Sequence, residues 1–198
     1  MRLILVRHGE TWFNHVGLTQ GWCDSPLTEK GQAQARRLGE LLEDIKIDAA
    51  YSSSSERAYD TACIVLEGRN IAVERDRRLK ELHFGKFEGF PNSFRIDFAG
   101  NKKNRMELGY RKYGGEDPAD VISREMDFLE RVSNENTAES TVLIAGHGAS
   151  LRMLLFHLAE ESLRKHFPEF EFFHNATAVL LSWENGSFEA ERIIEVEL

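Results

Sequence analysis

Two cysteines in a chain of 198 residues cannot build a disulfide framework, and Cys23 and Cys63 lack the spacing of metal ligands. Cys63 lies among Ala62, Ile64 and Val65 and reads as a small core residue, so a reduced, cytoplasmic protein is the simplest expectation. Only four prolines occur, and there are no repeats or low-complexity tracts, which excludes linker-like or fibrous classes. Long apolar runs are also missing. The N-terminal stretch Leu3-Ile4-Leu5-Val6 stops at Arg7, too soon for a signal peptide or a membrane span. Positive charge is in deficit, with 25 Lys and Arg against 33 Asp and Glu, a net charge of -8. That balance argues against nucleic acid as a partner and makes any local cluster of Arg and His informative. Finally, the first βα turn lacks a Gly-x-Gly-x-x-Gly pattern, which speaks against a dinucleotide-binding protein.

What is present is the composition of a globular protein, 41% hydrophobic and 29% charged, at a length suited to a single domain spanning 1–198. The unbroken apolar run 2–6 and the similar run Thr141-Val142-Leu143-Ile144-Ala145 predict strands buried on both faces, as in the centre of a parallel sheet. Thr28 is a candidate N-cap for a helix with Ala33, Ala35, Leu38, Leu41 and Leu42 on its inner face. A strand over 48–52, a helix from about Glu56 to Leu66 stopped by Gly68, and a third strand at Ile71-Ala72-Val73 follow. Residues 86–136 break this rhythm. They carry Phe90, Phe94 and Phe98 at helical spacing, the cations Lys102, Lys103, Arg105, Arg111 and Lys112, and a longer helix over roughly 117–133. A helix opening near Ala149 and two strands, about 176–183 and 187–196, joined by Asn185-Gly186, complete the pattern. The expectation is an α/β three-layer sandwich. It has a mostly parallel central sheet, helices on both faces and a helical lid insertion at about 86–136 over the carboxyl edge.

Two of these strands end in a histidine followed by glycine: Arg7-His8-Gly9 and Gly146-His147-Gly148. Parallel central strands bring both histidines to one sheet edge, and the glycines let a ligand approach the backbone. A neutral imidazole can attack phosphorus if its other ring nitrogen carries the proton, and arginine forks suit the charge that spreads over the phosphoryl oxygens.

Arg7-His8-Gly9-Glu10-Thr11 with Asn14, Gly21-Trp22-x-Asp24, and Leu27-Thr28-x-x-Gly31 together resemble the histidine phosphatase (phosphoglycerate mutase-like) superfamily, its small phosphatase branch in particular. Tyr51-Ser52-Ser53 leading to Arg57-Ala58 and Thr61-Ala62, the segment Glu81-Leu82-x-Phe84-Gly85-x-x-Glu88-Gly89, and Gly146-His147-Gly148 extend the resemblance over nearly the whole chain. It implies that His8 is the nucleophile and that Arg7, Arg57 and His147 form the phosphate pocket. Asn14 would add a hydrogen bond to the phosphoryl oxygens, Gln20, Gly21 and Gly148 would line the site, and Glu81 would serve as proton donor. It implies no metal and no cofactor, a small phosphorylated substrate as partner, and neither nucleic acid nor membrane. Family members vary in oligomeric state, so a homodimer stays open.

Ser54 and Ser55 stand where relatives often have proline and leucine, Phe87 replaces a common tryptophan, and Asp117 stands at the serine of a Gly-Glu-Ser lid element. Glycolytic members carry a longer lid insertion, so the compact chain favours hydrolysis of phosphomonoesters. The alternatives are a cofactor-dependent phosphoglycerate mutase and an inactive phospho-ligand binder. The lid cations suggest steering of anionic substrates, set against the simpler reading of a solvated helix face.

Overall fold

The chain alternates buried runs with amphipathic ones, and the computed structural model, which describes residues 1–94, 109–184 and 186–196, folds them into one sheet with helices on both faces. Six strands, β1 (Arg2–Arg7), β2 (Ala49–Ser53), β3 (Val73–Asp76), β4 (Thr141–Gly146), β5 (Ala178–Glu184) and β6 (Ser187–Ile194), run in the order β3-β2-β4-β1-β5-β6. The first four positions are parallel, and β5 and β6 add antiparallel pairings.

Alternate residues of the central strands divide the core into two. Ile4, Val6, Leu143 and Ala145 face Ala35, Leu38 and Leu42 of helix α2 (Glu29–Leu41) and its cap, and Ala62 and Val65 of α3 (Glu56–Val65). Leu3, Leu5, Val142 and Ile144 face Phe128, Leu129 and Val132 of α4 (Pro118–Glu135) and Leu151, Leu154 and Leu155 of α5 (Gly148–His166). Each such aliphatic side chain contributes on the order of 1.5–3 kcal/mol by leaving water, so the sandwich rests on these two layers. Helix α4 is therefore a layer of the sandwich, although it falls inside the span 86–136 expected to be a lid. Asp117 caps it, with Pro118 in the first turn, so the residue that departs from the serine pattern has a local role. Phe98, Lys102, Lys103 and Arg105 lie outside the described residues.

Three expectations are corrected. Cys63 is exposed, because the inward face of α3 carries Ala58, Thr61, Ala62 and Val65 and leaves position 63 outside. Ala33 is exposed, while Gln34 is buried and its side chain accepts a hydrogen bond from the Glu10 N–H at 2.9 Å. The third strand begins at Val73 rather than Ile71. Among the described residues it is an edge strand paired with β2 alone, so its polar residues Glu74 and Arg75 need no burial.

The loop leaving β1 is held close to α2. A Cβ on Gly9 would stand 2.3 Å from the Gly31 carbonyl oxygen, and one on Gly31 would stand 2.0 Å from that of Glu10. Only glycine fits at either position. The β5–β6 turn pairs Glu184 with Ser187, with Gly186 at a φ of +91°, as a tight hairpin requires. No described helix is long and apolar enough to cross a membrane.

Candidate active site

Strand β1 runs parallel to β4 with Arg7 opposite Gly146, so the residues that follow, His8 and His147, emerge side by side at the carboxyl edge. Their ring centroids are 5.3 Å apart and inclined at 64°. Both side chains are buried.

The two rings are held differently. His8 Nδ1 lies 2.8 Å from the Gly9 carbonyl oxygen, which can only accept, so Nδ1 carries the proton and Nε2 keeps its lone pair. His147 is held by Nε2, 2.8 Å from Ser53 Oγ. Ser53 Oγ also accepts from the Ser55 N–H at 3.2 Å; when its own proton turns to Nε2, the imidazole proton lies on Nδ1. Burial, followed by the charge of Arg57, holds both imidazoles well below their ordinary range; Arg7 adds to the effect on each. Both rings are neutral at neutral pH.

Arg57 projects from the first turn of α3 and is wholly buried. Nη1 donates to the Cys23 carbonyl at 3.0 Å and to Asp24 Oδ1 at 2.8 Å, and Nη2 donates to the Gly21 carbonyl at 2.9 Å. Asp24 Oδ2 in turn accepts from the Glu56 N–H, so the pair clamps the 21–24 loop to the start of α3. Arg7 donates through Nη1 to the Phe173 carbonyl and lies across the N-terminus of α5. A Cβ on Gly148 would come within 3.2 Å of Arg7 Nε, so this glycine gives the guanidinium its place. Burial lowers the Arg7 guanidinium to about 10, with Glu81 opposing and Arg57 adding to the shift. It remains a cation at neutral pH.

Glu81 follows β3 and is buried against the same helix end. Its carboxylate accepts from the N–H groups of Leu82 at 2.8 Å, Ala149 at 3.0 Å and Ser150 at 2.8 Å. Asn14 closes the four-residue helix α1 (Trp12–His15) in a capping box with Thr11. Its Oδ1 accepts from Asn175 Nδ2 at 3.0 Å, and Asn175 also donates to the His8 carbonyl at 3.1 Å. Gln20 spans Thr11 and Ser25 through its amide, at 2.7 and 3.0 Å.

A cavity of about 420 Å³ opens over these groups, lined among others by Arg7, His8, Asn14, Gln20, Glu81 and Gly148. Of the expected site residues, Arg57, His147 and Gly21 are absent from its lining. The first two are buried beside His8, and Gly21 serves Arg57 through its carbonyl while its N–H goes to Glu88 at 3.1 Å. Three buried nitrogens lack any partner among the described residues: Arg7 Nε, Arg57 Nε and His147 Nδ1. Unsatisfied buried nitrogens are costly, and these three sit on the residues packed around one histidine.

Sequence reasoning missed several supports. Ser53 holds the His147 ring, Asp24 holds Arg57, and Asn175 joins Asn14 to the His8 backbone. Glu88 accepts from the N–H groups of Gly21, Trp22, Cys23 and Phe84. Burial works to raise this carboxyl, but the Cys23 thiol and these N–H groups outweigh it and hold it below its usual range. Arg124 of α4 donates to the Glu81 carbonyl at 3.1 Å and pairs with Glu116. Ser53, Asp24 and Glu88 stood inside quoted motifs; nothing marked Asn175 or Arg124. His174 also lines the cavity, whereas His83 packs on Trp22 and His15 on Trp12.

Residues 3–195 match the family model of the histidine phosphatase superfamily (branch 1), and the chain belongs to that superfamily. It is 34% identical over 173 residues to a 2,3-bisphosphoglycerate-dependent phosphoglycerate mutase of Gloeobacter violaceus, covering 82% of this chain and 79% of that protein. In three dimensions it is similar to a mycobacterial glucosyl-3-phosphoglycerate phosphatase, with a TM-score of 0.82, 26% identity and 96% of each chain covered. A phosphoglycerate mutase of Bacillus anthracis superimposes with a TM-score of 0.84 at 29% identity, covering 96% of this chain and 91% of that one.

Proposed function

We propose that this protein is a metal-independent phosphomonoesterase that acts on small phosphorylated metabolites through a covalent phosphohistidine at His8. The observation that carries the reading is the trio of unpartnered buried nitrogens on Arg7, Arg57 and His147 beside a histidine whose Nε2 is free. In the first step His8 Nε2 attacks phosphorus, the P–O ester bond breaks, and the leaving oxygen takes a proton from Glu81. In the second, Glu81 accepts a proton from water, the resulting hydroxide attacks phosphorus, and the P–N bond breaks to release inorganic phosphate. Charge on the equatorial oxygens is met by Arg7, Arg57 and His147 Nδ1–H, with Asn14 and Gln20 at the rim. Arginines supply the neutralisation here, so chelators should leave turnover unchanged.

Hydrolysis requires a reachable water, whereas isomerisation requires the dephosphorylated sugar acid to stay bound and turn. Beyond Arg7, Arg152 is the other cation on the described cavity wall, stacked on Phe172 and Phe156. That limited grip on a second anionic group supports hydrolysis. Mutase activity is the second reading, favoured by the phosphoglycerate mutases among the relatives. A panel of phosphomonoesters assayed for phosphate release, with 3-phosphoglycerate followed for isomerisation and an EDTA arm, tests both. Isomerisation without phosphate release would replace the first reading with the second; no turnover and no labelling of His8 would leave a binding protein.

A further inference from the structure

Behind Glu81, on the inner side of the first turn of α5, lies a second acid that the reaction does not use. Glu125 projects from the middle of α4 and is wholly buried. Among the described residues neither of its carboxyl oxygens makes a well-formed hydrogen bond, nor does the equally buried hydroxyl of Ser150 on α5, although the two groups stand close together. Ser150 lies between the two acids: its N–H donates to Glu81 Oε1, and its hydroxyl is close enough to Glu125 to bear on its charge. A carboxylate in such a place is far costlier than a carboxylic acid, because one nearby hydroxyl cannot replace the water it has lost.

We propose that Glu125 is a positioning residue for the phosphate pocket: as a neutral acid it packs α4 against the N-terminus of α5 behind Glu81, and as an anion it opposes phosphate binding. The inference rests on the pocket being a phosphoryl site.

The charged groups around Glu125 support this two-state behaviour. Burial pushes its carboxyl up to about 8. Arg124 of its own helix opposes the shift, Glu81 from the loop after β3 adds to it, the Ser150 hydroxyl opposes it, and Glu116 before α4 adds to it. Arg124 is committed to Glu116 and to the carbonyls of Arg78 and Glu81, so it partners Glu125 only at long range. Ionisation of Glu125 therefore places a negative charge behind Glu81, close to the helix end where Glu81 and Arg7 meet. Like charges this close in a buried setting repel, so an effect of about tenfold on an anionic ligand is expected.

The test is the affinity for inorganic phosphate, measured by calorimetry from pH 6.5 to 9.5 on the wild-type protein, Glu125→Gln and Glu125→Met. Inorganic phosphate is already mostly dianionic above about pH 7.5, so its own ionisation gives no reason for binding to weaken there. The wild type should lose about tenfold in affinity between pH 7 and 9, and both variants should hold theirs. The kcat/KM for p-nitrophenyl phosphate should follow the same pattern. Thermal stability supplies a second readout. The folded-state carboxyl titrates higher than the unfolded one, so its stabilising effect is full at low pH and is lost as pH rises to about 8. The Tm advantage of Glu125→Gln should then widen from pH 5 to 8. A merely structural role moves the Tm alone. Coincident phosphate-binding profiles in wild type and variants, or a wild type that holds its affinity to pH 9, would overturn the proposal. Absence of phosphate binding at every pH would instead sink the phosphoryl-site reading, and this inference with it.

Discussion

The carboxyl ends of β1 and β4 carry the same histidine-glycine pair in register, yet the two rings are held by opposite nitrogens. After β1 the chain enters an irregular loop, and the Gly9 carbonyl is free to take the His8 Nδ1 proton. After β4 it enters helix α5 directly, with His147 at the cap, and the ring is caught instead by Ser53 at the end of β2. One ring therefore keeps a lone pair on Nε2, and the other, in its Nδ1–H tautomer, offers a proton. The lesson is that a shared triplet at a strand end sets position, whereas the next turn of chain and the neighbouring strand set chemistry.

The largest effect should come from the ring that offers the lone pair. His8→Ala removes the attacking atom, and turnover should fall by about 10⁴-fold or more, in the range seen when a nucleophile is deleted. The side chain sits at the sheet edge, so circular dichroism should show a folded protein, and acid-quenched labelling should detect no phosphoenzyme. His147→Ala should cost less, about 10²–10³-fold, the range for deleting one donor to transition-state charge. Its phosphoenzyme should still form, slowly. Equal losses with no label in either variant would erase the distinction between the rings.

Acid should act on the two rings together. Both are buried and neutral when folded but titrate near 6.5 when unfolded, so the unfolded state binds the extra protons as pH falls. Their stabilising contribution is present above about pH 6.5 and is lost below it, at about 1.4 kcal/mol per pH unit for each ring. Denaturant titrations from pH 7.5 to 5 should show the slope. Bound phosphate should reduce it by favouring the protonated rings, and a flat profile in wild type would show that the rings are not neutral when folded.

Much of this was legible in the sequence because it depends on local pattern. Buried runs announced β1 and β4, Asn185-Gly186 announced the hairpin, and ordered motifs placed His8, Arg7, Arg57, Glu81 and His147 at one edge. The rest depended on contacts made after folding. Nothing in the composition of α3 said that Cys63 faces out, since one residue's rotation about a helix is settled by what the sheet presents. The edge position of β3 hid its start, because an exposed strand needs no apolar run. Glu125 sits at an inward-facing position of α4 where a charged residue breaks the binary pattern, and only the burial of that helix against α5 makes it anomalous. Residues such as Ser53 and Asn175 are small polar groups whose roles exist only through partners far along the chain.

The finest test of the comparison concerns the group that holds the second ring. Ser53→Ala leaves His147 Nε2 without a partner in a wholly buried site. The ring can then adopt either neutral tautomer. If Nδ1 loses its proton for part of the time, the pocket loses a donor for that fraction only, and kcat should fall by about three- to tenfold, well short of the loss in His147→Ala. The KM should change less than kcat, because the donor matters most as charge grows on the phosphoryl oxygens. Ser53→Thr keeps a hydroxyl at the same place and should restore most of the rate. The 15N chemical shifts of His147 report the tautomer directly: wild type should show a protonated Nδ1, and Ser53→Ala a mixture. A pure Nδ1–H tautomer in Ser53→Ala with full activity would assign the orientation of this ring to packing alone, and the contrast between the strand ends would then rest on His8 and Gly9.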